Sequence, residues 1–215
     1  KHMDGVIFAG EVDIRVIEEF RKQSIPVVLV NNYLDMDGLV CISADHYGGA
    51  VQATEYLCKL GHCKIGLLSG RFSPQVSEAR IEGFVKTLAK YDIPVDDRFI
   101  ADIEPALEDG EEIMTRMLRE VDRPTAFFCT NDTIAAGAMK AVTRAGLRVP
   151  EDIAIIGFDD SYISRVVEPE LTTVRIDAAK MGCLAMQTLF DLIAGMPVEK
   201  AHIQIPTELI VRGTA

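Results

Sequence analysis

The sequence predicts an α/β protein built from parallel sheets with helices on both faces. Short β-branched runs alternate with longer helical patterns from one end of the chain to the other. The helical stretches repeat apolar residues at three- and four-residue spacing, as a face packed on a sheet requires. The breaks between them fall at Gly61, Gly146, Ile25-Pro26 and Ile93-Pro94, which stop one element before the next begins.

Taken in order, the first strand is Gly5 to Phe8, followed by a helix whose inward face is Val12, Val16, Ile17 and Phe20. Strand Val27 to Val30, a loop from Asn31 to Gly38 and a short strand Leu39 to Ser43 come next. Asp45 precedes a helix carrying Ala50, Ala53, Leu57 and Leu60 on one face. Strand Lys64 to Leu68 leads through a loop to a helix from Ser77 to Tyr91, then to strand Arg98 to Ala101, helix Asp109 to Glu120 and strand Thr125 to Cys129. Asn131 opens a helix with Ile134, Ala138, Met139 and Val142 inward, and strand Ile153 to Gly157 follows. A connector at Leu171 to Val174, a long helix Ala178 to Ala194 and a final strand near Glu208 to Val211 complete the chain. With no repeat and no Gly/Ser linker, any division into lobes must run through chain crossings inside the fold.

Composition narrows the function. The 215 residues are 48% hydrophobic and 26% charged, enough to bury a sizeable core. Apolar runs such as Val27 to Val30 fall far short of the roughly 20 residues of a membrane span, so no span and no signal peptide is expected. Thirty-three acidic against 22 basic side chains give a net charge of -11, which repels a polyanion, so this piece is not expected to grip DNA by itself. Cys41, Cys58, Cys63, Cys129 and Cys183 are odd in number and lack a C-x-x-C pair, which fits reduced, mostly buried thiols in the cytoplasm.

Enzyme templates do not match. There is no phosphate-cradling G-x-x-x-x-G-K-[ST] loop and no G-x-G-x-x-G after a strand, and Ser69-Gly70 lacks the upstream glycine of a nucleophile elbow. His2, His46, His62 and His202 show no metal-ligand spacing and read as surface or capping residues, so neither metal nor cofactor is expected. An acid pair such as Asp159 with Asp45 has no activated nucleophile beside it, and no enzymatic activity is expected. What remains is polar groups where strands end: Asn31, Asn131, Asp132, Asp159 and Asp160. Such residues converge where α/β folds hold ligands, although each has a capping or turn role as its alternative. Arg80, placed in the first turn of the helix from Ser77, opposes the helix dipole there and needs another partner, Asp159 or a ligand oxygen.

The segments "MDGVIF", "IPVVLVNN", "LCKLGHCKIGLLSG", "RIEGF", "FFCTNDTIAAGAMKAV", "GLRVPEDIAIIGFDD", "ELTTVRID" and "PTELIVRGTA" together resemble the regulatory domain of the LacI/GalR family of bacterial transcription regulators. The resemblance implies a periplasmic-binding-protein-like fold of two parallel-sheet lobes joined by three crossings, with a small-molecule effector in the cleft. It also implies a homodimer whose lobe closure repositions an N-terminal helix-turn-helix headpiece on operator DNA, with no membrane partner. The first lobe would comprise 1–44 and 177–196, the second 45–170 and 203–215, with crossings at 171–176 and 197–202. Two βα units, roughly 60 residues, and the headpiece would be missing from the first lobe's start, leaving strand Gly5 to Phe8 with a bare edge.

By motif, the resemblance gives Arg80 of "RIEGF", Asn131 of "CTND" and Asp159 of "GFDD" as effector contacts from the second lobe, with Phe72 of the preceding loop. Asn31 stands where an aspartate is common, Asp45 lies at the first crossing, and Ile103 fills a loop position where some members place an aromatic ring. Val174-Arg175-Ile176-Asp177 replaces a frequent Val-x-Gln-Pro. An arginine fork, an acceptor carboxylate and an amide suit a polyhydroxylated ligand such as a sugar. A periplasmic sugar receptor of a transporter is the alternative, disfavoured by "GLRVPEDIAIIGFDD", "LTTVR" and "PTELIVRGTA".

Overall fold

Two parallel sheets organise the chain, and the computed structural model describes residues 3–34, 36, 38–198 and 201–215 of them. One unit comprises the chain up to Asp45 together with Asp177–Pro206; the other comprises His46–Ile176 and Thr207–Ala215. The chain therefore passes from one to the other three times. His2 lies outside the described residues.

The first unit contains β1 (Val6–Ala9), α1 (Ile14–Lys22), β2 (Val27–Val30), β3 (Val40–Ala44), α6 (Ala178–Ile193) and β9 (His202–Ile205). Its four strands run parallel in the order β1-β2-β3-β9. Asp13 caps α1 through the Arg15 amide, and Ile17 is buried against Val27, Leu29 and Cys41 with Phe8 and Phe20 at the margin. Helix α6 starts behind Asp177, whose carboxylate accepts from the Lys180 amide, and lies against β1, β2 and β3. Strand β9 differs from the sequence reading: residues 203–205, expected in the second lobe, pair beside β3 in the first. Its short His-Ile-Gln-Ile stretch acquires strand geometry from that nonlocal pairing.

The second unit holds α2 (His46–Lys59), β4 (Ile65–Gly70), α3 (Pro74–Lys90), β5 (Ile100–Ile103), α4 (Leu107–Met117), β6 (Ala126–Cys129), α5 (Asp132–Arg144), β7 (Ala154–Asp159), β8 (Thr172–Arg175) and β10 (Glu208–Ile210). The strand order is β10-β8-β7-β6-β4-β5, parallel except for β10. The expected connector at Leu171 to Val174 is thus largely a sheet strand, β8. Alternation along the strands makes two cores. Leu67, Ala126, Phe128, Ile156 and Phe158 face Ala53, Leu57, Phe84 and Leu88 of α2 and α3. Leu68, Phe127, Cys129 and Ile155 face Met114, Met117, Ile134, Ala138 and Val142 of α4 and α5. Leu60, read as inward, is half exposed at the end of its helix.

Gly61 and Gly146 end α2 and α5 at φ of 91° and 76°. In each case the next amide returns to the carbonyl five residues back: His62 to Leu57 and Leu147 to Val142. Helices α4 and α5 touch backbone to backbone. A Cβ on Gly137 would collide with the Leu107 carbonyl, and one on Gly110 would lie 2.5 Å from the Ile134 carbonyl. Gly182 of α6, in contrast, has open space around it. We expect Gly137→Ala to lower the unfolding free energy by about 1–3 kcal/mol through overpacking. Gly182→Ala should raise it by about 0.4–1 kcal/mol through the unfolded chain's lost freedom. Urea titrations of both variants check the pair, and equal effects would contradict the close approach of α4 and α5.

Candidate functional site

Strand order explains where the polar residues of the second unit meet. From β4 the chain moves through α3 to β5 on one side, then through α4 to β6 on the other. The helices that follow β4 and β6 therefore lie on opposite faces, and the carboxyl ends of these neighbouring strands form a topological switch point, where α/β folds leave room for a ligand. Thr130 joins the two ends, its hydroxyl accepting from the Gly70 amide at 2.8 Å.

Three sequence-predicted residues come together here. Arg80 Nη2 donates to Asp159 Oδ1 at 3.3 Å, and Asn131 Nδ2 donates to Asp159 Oδ2 at 2.9 Å. Asn131 also performs its capping role: its Oδ1 accepts from the amides of Thr133 and Ile134 at the start of α5. Arg80 is buried. Its Nη1 donates to the Thr130 carbonyl, and the rings of Phe72 and Phe158 approach the guanidinium at 4.9 and 3.9 Å from their centroids. Helix α3 begins at Pro74 and not at the expected Ser77, so Arg80 sits in its second turn, clear of the N-terminal dipole, and burial is what obliges it to find partners.

His46 was read as a surface or capping residue, but it is buried at the start of α2, against Phe158. Its Nδ1 accepts from Arg80 Nη2 at 3.2 Å. Burial, and then the charge of Arg80, push its pKa down to about 3, so the ring is neutral at physiological pH. No motif announced this residue; its position ahead of a helix that packs beside Arg80 was the available signal. His62 bonds the Thr125 hydroxyl, and His202 pairs with Ser43 Oγ in the first unit at 2.8 Å.

The turn after β7 is held from two sides. Asp159 and Asp160 both take left-handed backbone angles, with φ of 108° and 51°. Asp160 accepts from Arg212 at 2.6 Å, Arg175 at 2.8 Å and the Ser164 hydroxyl at 3.0 Å, which hold its carboxyl well below the usual range, at about 2, against the opposing effect of burial. Asp132 secures the other side: Oδ2 accepts from the Ser161 amide at 2.6 Å and Oδ1 from the Thr173 hydroxyl at 2.5 Å. Burial pushes Asp159 upward against the pull of Arg80 and Asn131.

Three further residues were expected to contribute to the site. Ile103 ends β5 and packs at the margin of the α4–α5 core. Asn31 and Asp45 belong to the first unit, where Asn31 has φ of 50° and its amide donates to Ile42, and the Asp45 amide donates to Ile205. Among the described residues no group of three or more His, Cys, Asp or Glu is placed to hold a metal ion. Cys41, Cys58 and Cys129 are buried, and Cys63 and Cys183 are exposed.

Asp132 is fully buried, and burial raises its pKa to about 6. A carboxyl raised in the folded state binds a proton more readily there than in the unfolded chain, so its contribution to stability grows as pH falls through 6 towards the ordinary value of 3.8. The stability of the wild type relative to Asp132→Asn should therefore increase by about 1 kcal/mol between pH 7 and pH 5. Urea unfolding of both proteins at the two pH values measures this; a pH-independent gap would show that Asp132 titrates in its ordinary range.

Comparison with known proteins accords with this geometry. A family model described as a periplasmic binding protein-like domain matches residues 54–215. The chain is 35% identical over 211 residues to the probable HTH-type transcriptional repressor ExuR of Bacillus subtilis, covering 97% of this chain and 63% of that protein. It is 36% identical over 191 residues to the HTH-type transcriptional repressor PurR of Pasteurella multocida, covering 88% and 57%. The chain thus spans about three fifths of the length of these curated relatives. A LacI-family regulatory protein from Chloroflexus aggregans superposes with a TM-score of 0.90 at 31% identity, over 98% of this chain and 76% of that one. A LacI-family regulator from Enterococcus faecium with bound ribose gives a TM-score of 0.88 at 27% identity, over 98% and 79%. With its parallel sheets, helices on both faces and a model match over most of its length, this chain belongs to the periplasmic binding protein-like family, in the form found in LacI-family transcriptional regulators.

Proposed function

We propose that this chain is the effector-sensing part of a cytoplasmic transcriptional regulator, that it binds a small polyhydroxylated molecule and that it catalyses no reaction. The observation that carries the proposal is the charged and hydrogen-bonding group formed by Arg80, Asn131 and Asp159 at the switch point. The ribose-bound relative supports a sugar-like ligand, and the repressors among the relatives favour a regulator over a transport receptor. Asn31, Asp45, Phe72 and Ile103 are proposed as further effector contacts. The intact protein is proposed to act as a homodimer and to reach operator DNA through a helix-turn-helix segment outside this chain, with no membrane partner. No helix among the described residues is long and apolar enough to cross a membrane.

A thermal-shift screen with sugars, nucleosides and purines tests the reading. A ligand present at 100 times its dissociation constant should stabilise the chain by about 2.7 kcal/mol. Arg80→Ala and Asp159→Ala should weaken binding by several kcal/mol, because each removes the opposite charge that holds the other side chain in place, and Asn131→Ala by about 1–3 kcal/mol. Wild-type affinity in the two charge variants would place recognition elsewhere. The net charge of -11 also predicts no nanomolar, sequence-specific gel shift with the chain alone at physiological salt; such a shift would show that these residues grip DNA themselves.

A further inference from the structure

Three acceptors from separate parts of the second unit share the Arg80 guanidinium. Nη1 donates to the Thr130 carbonyl just after β6, and Nη2 donates both to Asp159 Oδ1 at 3.3 Å and to His46 Nδ1 at 3.2 Å. Nη2 carries two hydrogens, so these two bonds use both of them. The side chain is only 4% exposed, and a hydrogen released by one acceptor has little water to turn to.

The direction of these bonds fixes the state of the His46 ring. A guanidinium has no lone pair to offer, so Nδ1 must be the bare nitrogen and the single ring hydrogen sits on Nε2. A protonated ring would turn an N–H toward the cation, and both burial and the Arg80 charge disfavour it.

Backbone packing decides where that ring stands. His46 opens α2 and Arg80 lies in α3, and the two helices meet where a Cβ on Gly83 would come within 2.7 Å of the Tyr47 carbonyl. Three residues beyond His46, a Cβ on Gly49 would come within 2.7 Å of the Phe158 ring, whose centroid lies 3.9 Å from Arg80 Cζ and 6.0 Å from that of His46. Gln52 ties the same helix to β10: its Nε2 donates to the Thr207 carbonyl and its Oε1 accepts from the Leu209 amide, each at 3.1 Å. The scaffold therefore delivers Nδ1 to the guanidinium.

We infer that His46 is a positioning residue of the sensing site: its bare Nδ1 takes the second Nη2 hydrogen of Arg80, sets the plane of the guanidinium and, through it, the place of the Asp159 carboxylate. The inference takes its purpose from the sensing role proposed above and adds no ligand contact. An apolar residue at position 46 would leave that hydrogen buried and unmatched, and the guanidinium would turn more freely. Asparagine offers a carbonyl oxygen near the place of Nδ1 and retains the acceptor.

Nitrogen NMR of the ligand-free chain at pH 7 tests this. The wild-type imidazole should carry its hydrogen on Nε2, with Nδ1 bare. Rotation of the Arg80 guanidinium about its Cζ–N bonds, read from its Nε and Nη signals, should be about 10-fold faster or more in His46→Phe and within about 3-fold of wild type in His46→Asn. A wild-type ring with its hydrogen on Nδ1 would overturn the inference whether or not either variant folds. Equal rotation in His46→Phe and wild type would overturn it too. Faster rotation in His46→Asn would do the same, by assigning the hold to ring packing and not to the acceptor. No ligand enters these measurements, so each of these failures leaves the sensing role standing; a failed ligand screen would remove the sensing role and not the hydrogen bond.

Discussion

A guanidinium withdrawn from water must find all its compensation inside the protein, and in this chain that demand fixes the geometry of a whole sheet end. Arg80 gathers elements distant in sequence: the carbonyl after β6, the carboxylate ending β7, the imidazole that begins α2 and aromatic rings from β7 and the loop before α3. Each partner limits where the others can lie. A neutral His46 is tolerated beside the cation because burial and the cation itself both disfavour its protonation. Glycines keep the surroundings close: a Cβ on Gly49 would strike the Phe158 ring, and one on Gly83 would strike the Tyr47 carbonyl, so α2 and α3 approach near enough to enclose the charge.

The second constraint is the turn that presents Asp159. Two successive aspartates with positive φ are unfavourable for residues bearing a Cβ and persist only where the surroundings over-determine them. Asp160 supplies one restraint through its arginines and Ser164. Asp132 supplies another through Ser161, and Thr173 joins the two by donating to Asp132 while accepting from the Asp160 amide. The neighbouring acids therefore have distinct duties. Asp160 is a low-pKa anchor, Asp132 a buried acceptor whose pKa burial raises to about 6, and Asp159 the carboxylate that keeps 30% of its side-chain surface.

Much of this was legible in the sequence because strand-end polarity and helix periodicity are local signals. Asn131 and Asp159 stood directly after apolar runs, and Arg80 stood in a helix where a charge needed explaining. The structure starts α3 earlier than the sequence suggests because Ser73-Pro74, a cap followed by proline at the first helical position, also suits a loop. What could not be read depends on pairing across the chain. The strand β9 is short and polar in alternate positions, and it exists because β3 offers it an edge. His46 reads as a cap or surface residue and Asp132 as a strand-end ligand or capping candidate, since the burial of both is produced by Phe158, Thr173 and Ser161, which lie far away in sequence. The order of the strands, which creates the switch point, has no local signature.

The central claim is that Arg80 and Asp159 are coupled partners in a low-dielectric site and not two polar residues that happen to be near each other. A double-mutant cycle on unfolding free energy, using Arg80→Met, Asp159→Asn and the double variant, measures that coupling in the absence of any ligand. The account predicts that the two losses are far from additive, with a coupling energy of about 1–3 kcal/mol, because each single change removes the opposite charge from the other group. Additivity within about 0.5 kcal/mol would contradict it.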